Sequence, residues 1–577
     1  MTSTVDEADW RRAVSACGLL AAFNAAGVLD ASDVLVAQRL CALGGEDDER
    51  VALAVAFTVR GLRGGSVCVE LRSVAEHVEQ PDLPWPEPDD WLAAVRDSAL
   101  LAPPHVLRLR DEALYLDRYW REEQQVADDL RAMITGAPPV GGVSDVDRLF
   151  PAGYGEQRAA AELALTQRLT VLTGGPGTGK TTTVARLLAL LAGSAAKAGA
   201  PPLRIALAAP TGKAAARLQE AVRSEIGQLD PGDAQRISGL QATTLHRLLG
   251  SRPDSSSRFR HHRGNRLPHD VVVVDETSMV SLTMMARLLE AVRPEARVLL
   301  VGDPDQLASV DAGAVLADLV EGFGGHADVR IAELRTPHRF GESIGALAAA
   351  IRAGADNAAL EVLRDGGEHV EWLEIDAPGE QLREVLLPTA RDLRRAALLG
   401  DAKTALATLD AHRLLCAHRH GPHGVTHWNR QVERWLTEET GEPIWSAWYV
   451  GRPVLVTAND YGLGLYNGDV GVTLRHDTGL RVAVAGTSAR LEFAPGRLAD
   501  VETMHAMTIH KSQGSQAAEV TVLLPPVDSR LLTRELFYTA VTRAKTKVRV
   551  VGSADEVRAA IGRRAVRATG LAARLRA

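Results

Sequence analysis

Residues 174–181 read GGPGTGKT and satisfy G-x-x-x-x-G-K-[ST] in full. Gly174, Gly175, Pro176, Gly177, Thr178 and Gly179 can curl the backbone so that its N–H groups face phosphate oxygens. An apolar run at 169–173 precedes the loop and an amphipathic stretch at 181–191 follows it. That strand-then-helix context adds the positive potential of a helix N-terminus. Lys180 is expected to reach the β- and γ-phosphates of ATP, and the Thr181 hydroxyl to ligate Mg²⁺. A second acidic signal is Asp275-Glu276, closing the apolar run 271–274. A carboxylate at such a tip can hold Mg²⁺, the role assigned to Asp275, while Glu276 polarises the attacking water. An acidic pair after a strand is as often a plain loop; beside a phosphate loop it points to ATP hydrolysis.

Three further segments separate this chain from other ATPases. Residues 302–307 (GDPDQL) follow the next apolar run, where Gln306 can sense a γ-phosphate. Residues 508–515 (TIHKSQGS) and 538–544 (YTAVTRA) come much later, and 209–215 (APTGKAA) follows the second run.

These side chains must be positioned by elements, and the pattern supplies them. Short apolar runs at 169–173, 204–209, 270–275 and 297–301 alternate with helical stretches and end in polar or Gly-rich turns. The uninterrupted Val271-Val272-Val273-Val274 suggests a parallel strand buried on both faces. A second α/β set occupies 413–417, 520–524 and 547–551. Between its members, about 440–500, short strands (453–457, 471–474, 480–484) alternate with turns, which fits a small β-barrel insert. Residues 1–134 read as mostly helical, with helical spacing at 13–26 and 51–62 and a Pro-rich break at 80–88. No catalytic pattern occurs there, so an interaction domain is expected. Residues 135–147, opening TGAPPVGG, form the linker.

In order and in wording, these segments resemble superfamily 1 helicases over about 145–555. The resemblance implies an α/β fold with two RecA-like parallel-sheet motor domains, at 148–335 and 336–577, facing each other across ATP. It implies that Gln157 reads the adenine, and that Arg339 and Arg543 reach the γ-phosphate from the far side of the cleft. An arginine supplied across a cleft stabilises transition-state charge only when the cleft is closed. Single-stranded DNA is expected along Pro210, Thr211 and Lys213, along Thr243, Thr244 and His246, and along Thr508, His510 and Lys511. Backbone N–H, hydroxyl and ammonium groups there can hold phosphates without reading bases. For Thr243-Thr244, helix capping is an equal alternative. The insert 251–269 holds five Arg, three His and one Phe, and reads either as a basic hairpin at the duplex junction or as a solvated loop.

Within that superfamily the phrases at 173–183, 209–218, 274–280, 300–310, 508–514 and 537–544 resemble the RecD family, alpha subunits of exodeoxyribonuclease V. The family implies 5′→3′ translocation on single-stranded DNA at duplex ends, and a heterotrimer with RecB-like and RecC-like subunits. The N-terminal region would dock RecC, and nuclease activity would lie in RecB. One departure is Gln516, where the family usually has Glu; a Gln keeps hydrogen bonding but loses the charge. The alternatives are a free-standing RecD-like helicase, which usually carries a longer N-terminal extension, and a scaffold whose ATP site is only a switch.

Composition sets bounds on these readings. A chain of 577 residues is expected to form three to five domains. Net charge is −8, so DNA contact must be a local groove and not a whole-surface property. Cys17, Cys41, Cys68 and Cys416 lie far apart without a C-x-x-C pair, which favours buried, reduced thiols over a metal site. No secretory signal or apolar run of membrane-spanning length is seen, so a cytoplasmic protein is expected.

Overall fold

The computed structural model describes residues 9, 11–78, 80, 82–136, 145–252, 255–324, 331–336, 342–375, 378–460, 462–486 and 490–576. At the N-terminus, helices Gly18–Ala25, Ala31–Gly44, Glu49–Arg63 and Pro88–Asp97 enclose one apolar core. Phe23, Phe57 and Trp91 fill it, and Trp85 from the Pro-rich break stacks on Phe57 at 5.2 Å. The expectation of a mostly helical region omits a small antiparallel sheet of β1 (Cys68–Glu70), β2 (Leu107–Arg110) and β3 (Ala113–Leu116). Its strands have three or four residues, too few to show alternation in sequence. The long helix Asp117–Thr135 follows.

The next sheet is built from β4 (Leu169–Gly174), β5 (Ile205–Ala209), β6 (Ala242–Thr244), β9 (Val271–Val274), β10 (Arg297–Gly302) and β11 (Ile331–Leu334), in the order β11-β4-β10-β9-β5-β6. Every pairing is parallel. Between β6 and β9 lies an antiparallel hairpin, β7 (Ser251–Arg252) with β8 (Ser255–Phe259). The four-valine run explains itself on β9: Val272 and Val274 enter the core on one face, Val271 and Val273 the core on the other. Neither face meets water, so no polar residue alternates with them. A parallel sheet also collects all its strand C-termini at one edge, where loops build sites.

A second parallel sheet holds β12 (Val370–Leu373), β13 (His412–Cys416), β19 (Ala506–Thr508), β20 (Ala517–Leu523) and β21 (Ala544–Val551), ordered β12-β21-β20-β13-β19. Between β13 and β19 the chain inserts helix Val425–Thr440 and then β14 (Pro453–Val456), β15 (Val470–His476), β16 (Gly479–Ala485), β17 (Arg490–Phe493) and β18 (Val501–Thr503). The small β-barrel expected from its turns is not confirmed among the described residues. The insert is an antiparallel sheet in the open order β17-β16-β15-β14-β18, with short edge strands of four and three residues. Closure needs strands long enough to tilt and stagger into a shared seam.

The end of the chain does not stay with the second sheet. After helix Ala554–Gly562 it crosses to the first sheet and the N-terminal unit. Arg567 donates to the carbonyls of Ser309, Asp311 and Gly313. The Ala568 carbonyl accepts from Val67 N at 2.7 Å. Helix Leu571–Arg576 then buries Leu571 and Leu575 beside Leu319 and Phe323. Arg574 Nε donates to Glu123 Oε2 at 3.0 Å, with the two side chains only 3% and 0% exposed. The strap therefore departs from the expectation that 336–577 forms one unit. Cys41, Cys68 and Cys416 are buried as expected, but Cys17 is exposed.

Candidate active site between the two parallel sheets

The C-terminal tips of β4, β9 and β10 lie side by side, because β10 pairs with both others. Loop 175–179 leaves β4 and enters helix Lys180–Lys197. Gly179 has φ +88°, a left-handed conformation that a side chain would strain. Gly174 is required by space: a Cβ there would come 2.7 Å from the Leu334 carbonyl of β11. Lys180 Nζ donates to the carbonyls of Gly174 (2.6 Å) and Gly175 (2.9 Å), so the ammonium is held over the loop. Thr178 Oγ1 donates to Gly175 O at 2.9 Å. Gln157 is buried against this loop, its amide donating to Thr178 O at 3.2 Å.

Asp275 caps β9 and its Oδ1 accepts from Glu276 N at 2.9 Å. The surrounding protein, and then the Glu276 charge, raise the Asp275 pKa; Lys180 and Arg217 oppose the shift. Glu276 holds a left-handed φ of +51°, rare for a residue with a side chain. Such strain is typical of functional sites and costs on the order of 1–3 kcal/mol. Arg217, from helix Gly212–Ile226, approaches Glu276 at 4.0 Å.

Across from these groups stands helix Arg534–Val541 of the second sheet. Arg543 is 3% exposed and donates to Gln306 Oε1 at 2.9 Å. Gln306 Nε2 donates to Asp303 Oδ2 at 3.0 Å, and the Tyr538 hydroxyl donates to the same oxygen at 3.0 Å. Burial raises the pKa of both Asp303 and Tyr538. Thr539 Oγ1 accepts from Leu307 N at 2.9 Å, and Gln513 Nε2 donates to Leu307 O at 2.7 Å. Loop 303–307 is therefore gripped by four side chains from the opposite sheet. Buried hydrogen bonds thus join this loop of the first sheet to the second sheet.

The structure brings Lys180, Asp275, Glu276, Gln306 and Arg543 to this cleft. Arg339 lies outside the described residues. Sequence reasoning did not single out Arg217, Asp303, Gln513, Tyr538 or Thr539. All five sit inside phrases already picked out, so the motif boundaries were the available signal. Among the described residues no group of three or more His, Cys, Asp or Glu side chains could hold a metal by itself.

The residues expected on DNA share one local device. Thr211, Thr244 and Thr508 are N-caps, accepting from Ala214 N, Arg247 N and Lys511 N at 3.2, 3.2 and 3.3 Å. Helix capping, the alternative reading, is thus real at Thr244, yet a hydroxyl that accepts one bond can still donate another. Thr243 of β6 pairs with Ala208 of β5, and Pro210 follows the end of β5. Lys213 is half-buried; burial and the neighbouring Arg413 bring its pKa down to about 8. His246 stands edge-on to Phe259 of the β7–β8 hairpin at 5.8 Å. The insert 251–269 thus holds a hairpin and a turn closed by the His262–Asn265 pair, and most of its described residues are exposed. Part of its charge is used internally: Arg263 pairs with Asp129 at 2.8 Å and Arg266 donates to Val292 O. His510 is half-buried, and burial followed by Arg567 lowers its pKa. Lys511 Nζ contacts Glu502 at 2.6 Å.

Three family models match the chain: the N-terminal domain of the RecBCD enzyme subunit RecD over 25–115, an AAA domain over 153–373, and a UvrD-like helicase C-terminal domain over 503–551. The RecBCD enzyme subunit RecD of Mycolicibacterium smegmatis is 72% identical over 560 residues, covering 97% of this chain and 99% of that protein. The chain belongs to the RecD family. RecD proteins are ATP-dependent superfamily 1 helicases, and the cleft has the parts such a motor needs. The Mycobacterium tuberculosis RecBCD enzyme subunit RecD is 67% identical over 564 residues, with 98% of each chain covered. The ATP-dependent RecD2 DNA helicase of Deinococcus radiodurans is 33% identical over 475 residues, which span 80% of this chain but 59% of that one. Among solved structures, Bacteroides Pif1 helicase in complex with ADP-AlF3 and single-stranded DNA aligns at TM-score 0.37 and 16% identity, over 68% of this chain and 91% of that one. No helix among the described residues is long and apolar enough to cross a membrane.

Proposed function

We propose that this chain is the 5′→3′ motor of a RecBCD-type complex, translocating on single-stranded DNA at duplex ends in recombinational repair. The observation that carries it is the Arg543–Gln306–Asp303–Tyr538 network beside the phosphate loop. In this reading Lys180 and the loop 174–181 bind the ATP phosphates, with Gln157 at the base side. Gln306, Arg543 and Arg339 answer to the γ-phosphate. Glu276 orients the attacking water and Arg217 steadies it.

Thr181 and Asp275 would hold Mg²⁺. The donor set fits: one hydroxyl and one carboxylate are the hard oxygen donors that Mg²⁺ takes, with phosphate oxygens and water left to complete the shell. The ion would neutralise charge on the phosphates as the bond to the leaving group breaks.

The domain reading is an N-terminal docking unit (1–134), motor domains at 148–335 and 336–577, and a strap borrowed from the second. Docking to a RecC-like partner is supported by Leu35 and Leu43, 51% and 67% exposed on helix Ala31–Gly44. A RecBCD subunit is favoured over a free-standing helicase by likeness: the RecD subunit is 72% identical over 97% of this chain, the RecD2 helicase 33% identical over 80% of it. A cytoplasmic, RecB- and RecC-bound protein follows from this reading.

Lys180→Gln should abolish DNA-stimulated ATP hydrolysis while leaving fold and assembly intact. With its partners, the wild type should unwind a duplex bearing a 5′ single-stranded tail and not one bearing a 3′ tail. Absence of DNA-stimulated hydrolysis in that preparation overturns the motor; the reverse tail preference overturns the direction.

A further inference from the structure

On the second sheet a cavity of about 570 Å³ opens beside Thr508 and Lys511, walled by Arg419, Asn429, Arg430 and Glu502. Asn429 shapes it: its amide donates to Thr503 O at 2.8 Å, and its Oδ1 accepts from Ala506 N at 2.8 Å. The chain is thereby pinned where the insert returns to β19. Glu502, on the edge strand β18, is gripped by both Arg419 and Lys511. Its Oε1 accepts from Arg419 at 2.6 Å and its Oε2 from Lys511 at 2.6 Å. Arg419 follows β13 and Lys511 lies on the turn after β19, so the cations come from different elements. Burial would raise the Glu502 pKa; Lys511 and then Arg419 outweigh it and hold the carboxylate ionised. Arg430 lines the same cavity; among the described residues its side chain makes no hydrogen bond or ion pair, and its charge acts on Glu433, a second acid of the wall.

A carboxylate that gives one oxygen to each of two cations has the outline of the two non-bridging oxygens of a phosphodiester. The Glu502 side chain is 42% exposed and can swing out from its edge strand. We propose that Glu502 is a resident stand-in for a DNA phosphate: single-stranded DNA binds this cavity by exchanging a backbone phosphate for the carboxylate at Lys511 and Arg419, while Arg430 takes a neighbouring phosphate. The inference rests on the DNA-motor reading and adds to it a self-occupied state of the track. The exchange preserves the number of charge-assisted bonds, so binding and release at this step are closely balanced. A motor that must let go of each phosphate it passes gains from that balance. The DNA track also stays neutralised when no strand is bound, which discourages capture of other polyanions.

The test is binding of a single-stranded oligothymidylate to the full chain across a salt series. Glu502→Gln should tighten binding about three- to tenfold. It should also steepen the fall of affinity with salt, by about 0.7 per cation newly left to a phosphate. Arg419→Ala and Arg430→Ala should weaken binding and flatten that slope. A folding defect lowers affinity in every variant, so the opposite signs separate it from the proposed exchange. Asp365→Asn, which removes the same charge from an exposed helix end, should change neither quantity. The proposal is overturned if Glu502→Gln binds like wild type, or if Asp365→Asn matches it. It is also overturned if inorganic phosphate displaces the oligonucleotide where chloride of equal ionic strength does not, which would mark a small-anion site. Failure of the wild type to bind the oligonucleotide at all would instead remove the motor reading beneath it.

Discussion

Asp303 carries two hydrogen bonds on one oxygen, from Gln306 within its own loop and from Tyr538 across the cleft. With the phenol gone, the buried carboxylate loses a bond to a charged group worth about 1.5–3 kcal/mol. Gln306 would then answer to Arg543 without the second anchor. Tyr538→Phe should bind ATP with little change in KM and lose about tenfold in DNA-stimulated kcat, measured by steady-state hydrolysis. A rise in KM with unchanged kcat would instead assign Tyr538 to nucleotide binding. The phosphate loop, Asp275-Glu276 and Gln306 were legible in sequence, because each chemistry needs a residue type at a fixed distance from a strand end, whereas Arg543 came only from the resemblance to superfamily 1 helicases. Tyr538 and Gln513 were not, because what they do depends on which loop of the other sheet they meet.

At the level of elements, the strap contact through Asp318 sets a pH dependence. Asp318 lies on helix Val315–Phe323 and accepts from Thr569 Oγ1 at 2.8 Å. Burial raises its pKa to about 7. An unfolded aspartate loses its proton near pH 4, so between about 4 and 7 the folded chain holds the extra proton. Stability therefore falls as pH rises across that window, and the contribution is gone above it. Asp318→Asn should flatten this dependence, read from the thermal midpoint between pH 5 and 8. An unchanged slope would place the titration elsewhere. The buried parallel strands were readable because β-branched runs ended in turns. The edge strands β6, β11 and β12 were not, having three or four residues each. The insert's turns were read correctly, but closure of a barrel is decided by strand length and stagger, which turns do not report.

Over the whole molecule, the N-terminal unit, the first sheet and the end of the chain share one core. Its polar anchor is the Glu123–Arg574 pair, joined across most of the sequence and almost free of water. Arg574→Ala leaves a buried carboxylate unpaired, which costs about 3–5 kcal/mol. Hydrogen exchange should rise in helices Asp117–Thr135 and Val315–Phe323 together, since both pack on the strap. Combining it with Glu123→Gln should restore much of the loss. Exchange confined to the strap would show that the helices stand without it. Nothing in the sequence announced this pairing, since local pattern carries no record of partners hundreds of residues away.

The strap also has a consequence in time. Residues 568–576 leave the ribosome after everything they pack against. Until they arrive, Glu123 lacks the Arg574 guanidinium, and Leu319 and Phe323 lack the cover of Leu571 and Leu575. The N-terminal unit and the first sheet are thus finished only after the second sheet has been synthesised. A nascent chain cut short would show chaperones and proteases an open core, so a half-made motor is marked for removal before it can join a complex on DNA.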